Sequence, residues 1–162
     1  MTNWETLKNN LTKKILVLLA CLAFGYYILN YHEAKPNFTE VFINDNTIYA
    51  QVADTEAERA LGLSFTKELK ANAGMLFIFD NVSIKNFWMR DMNYDIDIVW
   101  VDENKSIVGF FENVKKESYN KDYPEYSRIY KSPENTKFVL ELPVGTIQNL
   151  KIKTGDILNF KY

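Results

Sequence analysis

Histidine and cysteine are nearly absent: one of each, His32 and Cys21, in 162 residues. Both lie in or beside an apolar N-terminal run, so residues 38–162 contain neither. That stretch therefore has no thiol nucleophile, no Ser-His pair, no disulfide framework and no Cys/His zinc site of its own. Chemistry there falls to carboxylates, Lys, Arg, Tyr, Ser and Thr, and no cofactor or metal is expected. A large charge of one sign is also lacking, the formal net charge being −2. Lys8, Lys13 and Lys14 outweigh Glu5 at the N-terminus, so the remainder is more acidic still. Such a domain lacks the basic footprint of a nucleic-acid binder, and nucleic acid is not an expected partner.

What the chain does have is apolar and aromatic. Hydrophobic residues make up 47% and charged residues 25%, which suits a folded core rather than disorder. Eleven Phe and ten Tyr favour strands. Residues 15–29 are uninterruptedly apolar, and the segment 15–31 reads as a transmembrane or signal-anchor helix. Fifteen helical residues span about 22 Å, short of the ~30 Å hydrocarbon core, with Tyr26, Tyr27 and Tyr31 at the far interface. The preceding lysines keep residues 1–14 cytoplasmic by the positive-inside rule and export the chain beyond the run. A cleaved signal peptide lacks a clean Ala-x-Ala site, and the lipoprotein-like Leu18-Leu19-Ala20-Cys21 is followed by apolar residues. Either of these would leave the domain secreted or lipid-anchored. A buried core helix fits poorly, since the run is apolar on every side.

Residues 32–37 form a linker, and 38–162 an extracytoplasmic β-domain. Strands are expected at 40–43, 47–52, 75–79, 84–89, 96–101, 107–114, 138–142 and 157–162. Asn44-Asp45-Asn46 suits a hairpin turn. Thr55-x-x-Glu58 is a capping box opening a helix to about Leu63, with Ala57, Ala60, Leu61 and Phe65 as its buried stripe and Gly62 as a stop. A helical turn is expected at 146–152. Short strands with few helices between them predict a mainly β fold, a small antiparallel barrel or sandwich with one or two short helices. Residues 115–137 break the rhythm, since structureless loops longer than about 12–15 residues are uncommon. Tyr119, Tyr123, Tyr126 and Tyr130 either pin this loop to the core or form a stacking lip for a sugar or peptide.

Strand phase isolates the candidate binding residues. Ile96, Ile98 and Trp100 share one face, and Asp97, Val99 and Val101 the other. Phe138, Leu140 and Leu142 oppose Val139 and Glu141. Asp97 and Glu141 are thus carboxylates within apolar strands, where each needs a partner or neutralises. Arginine is rare (Arg59, Arg90 and Arg128), which suggests a need for its planar fork. The expectation is that Asp97 or Glu141 pairs with Arg59 or Arg90 near the Trp88 ring, either as a structural tie or as part of a ligand site. Asp91, Asp95, Asp97 and Asp102 lack the pattern of an EF-hand loop and read as a solvated edge.

The chain resembles the bacterial and archaeal proteins grouped as domain of unknown function 192. The likeness runs through Glu58-Arg59, Gly62-Leu63, Gly74-Met75-Leu76-Phe77, Phe87-Trp88-Met89, Asp97, Val139-Leu140-Glu141-Leu142, Gly145 and Gly155-Asp156. Ser64, Arg90-Asp91-Met92 and Tyr94-Asp95-Ile96 depart from the family pattern. The resemblance implies a compact, mainly antiparallel β-domain, often exported, and carries no established activity, substrate or cofactor. The expected function is binding of a small polar or carbohydrate-like ligand at the cell envelope, in a cleft formed by Arg59, Trp88, Arg90, Asp97 and Glu141 with the Tyr-bearing loop beside it. The alternatives are a carboxylate-based hydrolase of envelope glycans and a protein-interaction module using an exposed sheet edge.

Overall fold

A computed structural model describes residues 13–22, 25–26 and 37–162. Contacts divide the chain into two units, Met1–Lys35 and Pro36–Tyr162. In the first, residues 13–22 form helix α1, whose Ile15, Leu16, Val17, Leu18, Leu19 and Leu22 are exposed. Among the described residues no helix is long and apolar enough to cross a membrane. The expected membrane helix at 15–31 is described in part; residues 23–24 and 27–31 of it lie outside the described residues, as do 1–12 and 32–36.

The second unit is built on a six-stranded sheet. β1 (Phe38–Ile43) and β2 (Asn46–Ala53) form a hairpin closed by Asn44 and Asp45, both at positive φ. Two successive positive-φ residues give the turn whose twist matches that of antiparallel strands. After helix α2 (Glu56–Leu61), strand β3 (Ala73–Ile78) returns parallel to β2. β4 (Asn86–Phe87) leaves the main sheet, which resumes with β5 (Ile96–Val101) and β6 (Ile107–Val114). β7 (Tyr130–Lys131) pairs with β4, and β8 (Phe138–Pro143) enters between β3 and β5. Helix α3 (Thr146–Asn149) comes next. The order β1-β2-β3-β8-β5-β6 is mixed and open.

The mainly β expectation holds at that coarser level, but the barrel does not. The β2–α2–β3 crossover makes one pair parallel, and no ladder joins β1 to β6. Residues 157–162 form isolated bridges rather than the expected strand, Asn159 with Phe42 of β1 and Ile157 with Ser106 just before β6. The expected strand at 84–89 shrinks to β4, because Ser83 and Lys85 bond to Thr136 and Ser132 instead of to the sheet.

Both faces of the central strands are buried. Val99, Val101, Phe138, Leu140 and Leu142 face one core with Ile147 and Phe160. Ile96, Ile98, Trp100 and Val139 face the other, with Phe77, Met89 and Tyr130. Strand alternation thus divides residues between two cores, as the phase of β5 and β8 predicts.

Candidate functional site

Helix α2 begins at the expected capping box: Glu58 N donates to the Thr55 hydroxyl at 3.2 Å, and Thr55 N to the Glu58 carboxylate at 3.0 Å. The Thr55 amide, and the Thr55 hydroxyl at 2.8 Å, both donate to the Glu58 carboxylate and hold it below its usual range. The expected buried stripe fails. Ala57, Ala60, Leu61 and Phe65 are exposed, and Leu63 enters the core in their place. The helix has fewer than two turns, and Gly62, at φ 52°, ends it and redirects the chain. Its flank therefore borders an open cleft of about 260 Å³ instead of packing on the sheet.

Glu56, Arg59 and Ala60 form one wall of this cleft, Trp88 and Arg90 another, with Phe77, Phe79, Phe87 and Glu141 also lining it. Phe87 meets Phe77 edge-to-face at 5.0 Å and Trp100 at 5.4 Å, in the arrangement aromatic pairs prefer. Met89 is buried, so Trp88 and Arg90 on either side of it turn outward. Trp88 remains 46% exposed, and the Arg90 guanidinium lies 5.5 Å from its ring centre. The Arg90 carbonyl accepts from Ser64 Oγ at 2.8 Å, and its Nη2 donates to Ala60 O at 3.1 Å. Arg59 Nη1 donates to the Asp54 carbonyl and, at 2.8 Å, to Ile78 O, and its guanidinium sits 5.3 Å from the Phe79 ring.

The expected carboxylate–guanidinium pair does not form. Ion pairs among the described residues are Lys115–Asp95, Lys116–Glu117 and Lys121–Asp91. Arg59 and Arg90 are anchored by backbone carbonyls and rings through part of each fork, so neither needs a carboxylate to be held in place. Glu141 sits mid-strand in β8 between Met75 of β3 and Ile98 of β5, 5% exposed, with Oε2 lacking any hydrogen-bond partner. Burial pushes its carboxyl up to about 8 from the ordinary 4.5. Tyr94, whose phenol burial also raises, feels the Glu141 charge and hydrogen-bonds to Thr66 Oγ1.

Asp97 does not belong to the cleft. It is fully buried on the opposite face of the sheet. There Oδ1 accepts from Asn113 N at 2.9 Å and Oδ2 from Ile147 N at 3.0 Å. β6 is bulged opposite Asp97, with Asn113 at positive φ, so the carboxylate satisfies an amide that the ladder leaves unpaired. Its second oxygen ties β5 to the start of α3. Asp97 is a structural brace.

The loop is divided. Tyr130 is buried and Tyr119 packs against the core, while Tyr123 and Tyr126 are exposed and lie against each other at 6.1 Å. A second hollow, also about 260 Å³, lies between Trp88, Arg90, Tyr119, Pro124 and Ile129. The loop thus reaches the Trp88–Arg90 wall through Tyr119. Sequence reasoning missed Glu56 and Phe79 as cleft residues. Glu56 was detectable, since it lies three residues before Arg59 on a helix and so on the same side.

The family described as "Uncharacterized ACR" matches residues 39–160. The chain belongs to the DUF192 family. A UPF0127 protein of Thermococcus kodakarensis is 29% identical over 115 residues, covering 68% of this chain and 63% of that protein. The chain thus spans less than two thirds of the length of that curated relative. A crystal structure of a Novosphingobium aromaticivorans protein of unknown function superposes with a TM-score of 0.65 at 26% identity, over 79% of this chain and 89% of the other. A Sinorhizobium meliloti chain, provisionally described as a transcription regulator, is 22% identical with a TM-score of 0.68, covering 80% and 98%. That likeness shows the shared fold alone.

Proposed function

We propose that this DUF192 domain is a binding module for a small polar, carbohydrate-like ligand, held outside the cytoplasm by the N-terminal apolar segment. One observation carries the ligand reading: a half-exposed Trp88 with a guanidinium over it, at the edge of an aromatic-lined cleft that holds an unpartnered carboxyl. An aromatic face with a few convergent polar groups is the usual composition of a small-molecule site. A thermal-shift screen of the full chain against sugars and metabolites tests it. A ligand at a hundred times its Kd adds about 2.7 kcal/mol, or roughly 5–10 °C in a chain of this size. Trp88→Ala should abolish that shift. A library without hits, or an equal shift in Trp88→Ala, defeats the reading. The export component rests on the lysines before the apolar run, and a C-terminal alkaline phosphatase fusion that stays inactive in cells would refute it.

The glycan hydrolase reading draws on a different observation, the raised titration of Glu141 in an open cleft. Glu56 would be its second carboxylate. It requires release of reducing ends from envelope glycans that Glu141→Gln abolishes, whereas a binding module releases none.

A further inference from the structure

Four ionisable side chains line the cleft: Glu56, Arg59, Arg90 and Glu141. Arg59 spends Nη1 on two carbonyls and Arg90 spends part of Nη2 on one, and neither is ion-paired. The remaining N–H groups of both forks have no acceptor within the described residues. Guanidiniums fixed by backbone and rings, with donors to spare, suit a planar anion that accepts two bonds at once. Glu141 lines the same cleft, and its Oε2 is buried just beneath without a partner. With Glu141 neutral, two guanidiniums against the Glu56 carboxylate leave one net positive charge. That balance fits a monovalent anion; a dianion such as sulfate would overshoot it.

We propose that the cleft's ligand is a small carboxylate, its acid group held by the free N–H groups of Arg90 and Arg59 beside the Glu141 carboxyl, with its carbon skeleton against Trp88. This rests on the ligand-binding reading and narrows it to acids, sugar acids included. The Glu141 carboxyl, neutral below about pH 8, donates its O–H to the ligand. Once ionised it loses that donor and cancels the net charge, so affinity falls as pH rises through about 8. Arg59 and Glu56 from α2 and Arg90 from the segment after β4 share the cleft lining with Glu141, and Tyr94 from the segment before β5 feels its charge, while burial alone raises Glu141 itself. Tyr94 is raised above the usual phenol range and stays neutral throughout this window.

Calorimetric titration of the full chain at pH 6.5 and pH 9 tests the proposal. The probes are sodium D-glucuronate and benzoate, each against a neutral counterpart, methyl D-glucoside and benzyl alcohol, with sulfate, a dianion at both pH values, as a competing anion. At least one acid should bind roughly tenfold or more tightly than its counterpart at pH 6.5, and weaken by about tenfold at pH 9. Glu141→Gln keeps a neutral donor, so it should bind as the unaltered chain does at pH 6.5 and lose the pH dependence. Arg90→Lys keeps the charge without the fork and should weaken the acid but not the neutral counterpart. Equal binding of acid and counterpart overturns the carboxylate assignment while leaving the cleft a binding site. So does sulfate binding that matches the acids. If both acids fail to bind at either pH, the proposal falls, and the Trp88→Ala library screen separately decides the ligand-binding reading. A Glu141→Gln variant that keeps the pH dependence removes Glu141 from the site.

Discussion

Glu141 and Asp97 look alike in sequence, single carboxylates in apolar strands, yet their surroundings set them to opposite uses. Asp97 has a backbone amide for each oxygen, so burial costs it little. Asp97→Asn replaces one acceptor with a donor facing an N–H, which should cost about 1–3 kcal/mol. At roughly 2–4 °C per kcal/mol the melting temperature should fall by several degrees. Glu141 has an oxygen with no partner and is held protonated by burial. Its folded-state titration is raised from 4.5 to about 8, so the folded state binds the extra proton. Its contribution is fully present below pH 4.5 and is lost as pH climbs to about 8, at up to about 1.4 kcal/mol per pH unit. Glu141→Gln should remove that component. Denaturant unfolding at pH 5, 6.5 and 8 should show the variant gaining on the unaltered chain by a few kcal/mol at the upper end. A constant difference between the two across that range would refute the buried, protonated state.

At the scale of elements, the cleft depends on how closely β3 approaches β8. Gly74 lies where a Cβ would stand 2.8 Å from the Glu141 carbonyl and 3.1 Å from Ile48 Cγ2. One of those contacts is backbone in a central strand, which cannot swing aside as a flexible side chain can. Gly74→Ala should therefore cost about 1–3 kcal/mol, and it should also weaken any cleft ligand because β8 carries Glu141. Circular dichroism melts and the library screen read the two effects separately. Helix α2 illustrates what was legible in its residues. The capping box Thr55–Glu58 and the stop at Gly62 are local signals, and both appear where the sequence puts them. The buried stripe is not local. Ala60 and Leu61 are apolar, but no described residue covers that side of the helix, and they line a cleft instead. The strand expected at 84–89 shortened for a similar reason, since the amides of Lys85 and of Ser83 just before it found partners in Ser132 and Thr136, distant in sequence.

For the whole molecule, the double-sided burial of β5 and β8 sets an order of stability. Their amides should be the last to exchange with deuterium, and those around Tyr123 and Tyr126 among the first. Slow exchange at Tyr126 with fast exchange in β5 would contradict this architecture. The C-terminal bridges to β1 and to the start of β6 also occupy part of both sheet edges. That weakens the reading of the domain as an edge-pairing interaction module.

The residues themselves decided which positions alternate, where α2 starts and stops, and that Arg59, Trp88, Arg90 and Glu141 were worth attention, because these are short-range matters of periodicity, capping and unusual side-chain choice. Tertiary structure alone decided that β8 inserts between β3 and β5, that β2 and β3 run parallel in an open sheet, and that Asp97 faces away from the cleft that gathers the other four. Strand pairing is chosen by surfaces brought together across long stretches of chain, and a period of two assigns side chains to faces without saying what will cover each face.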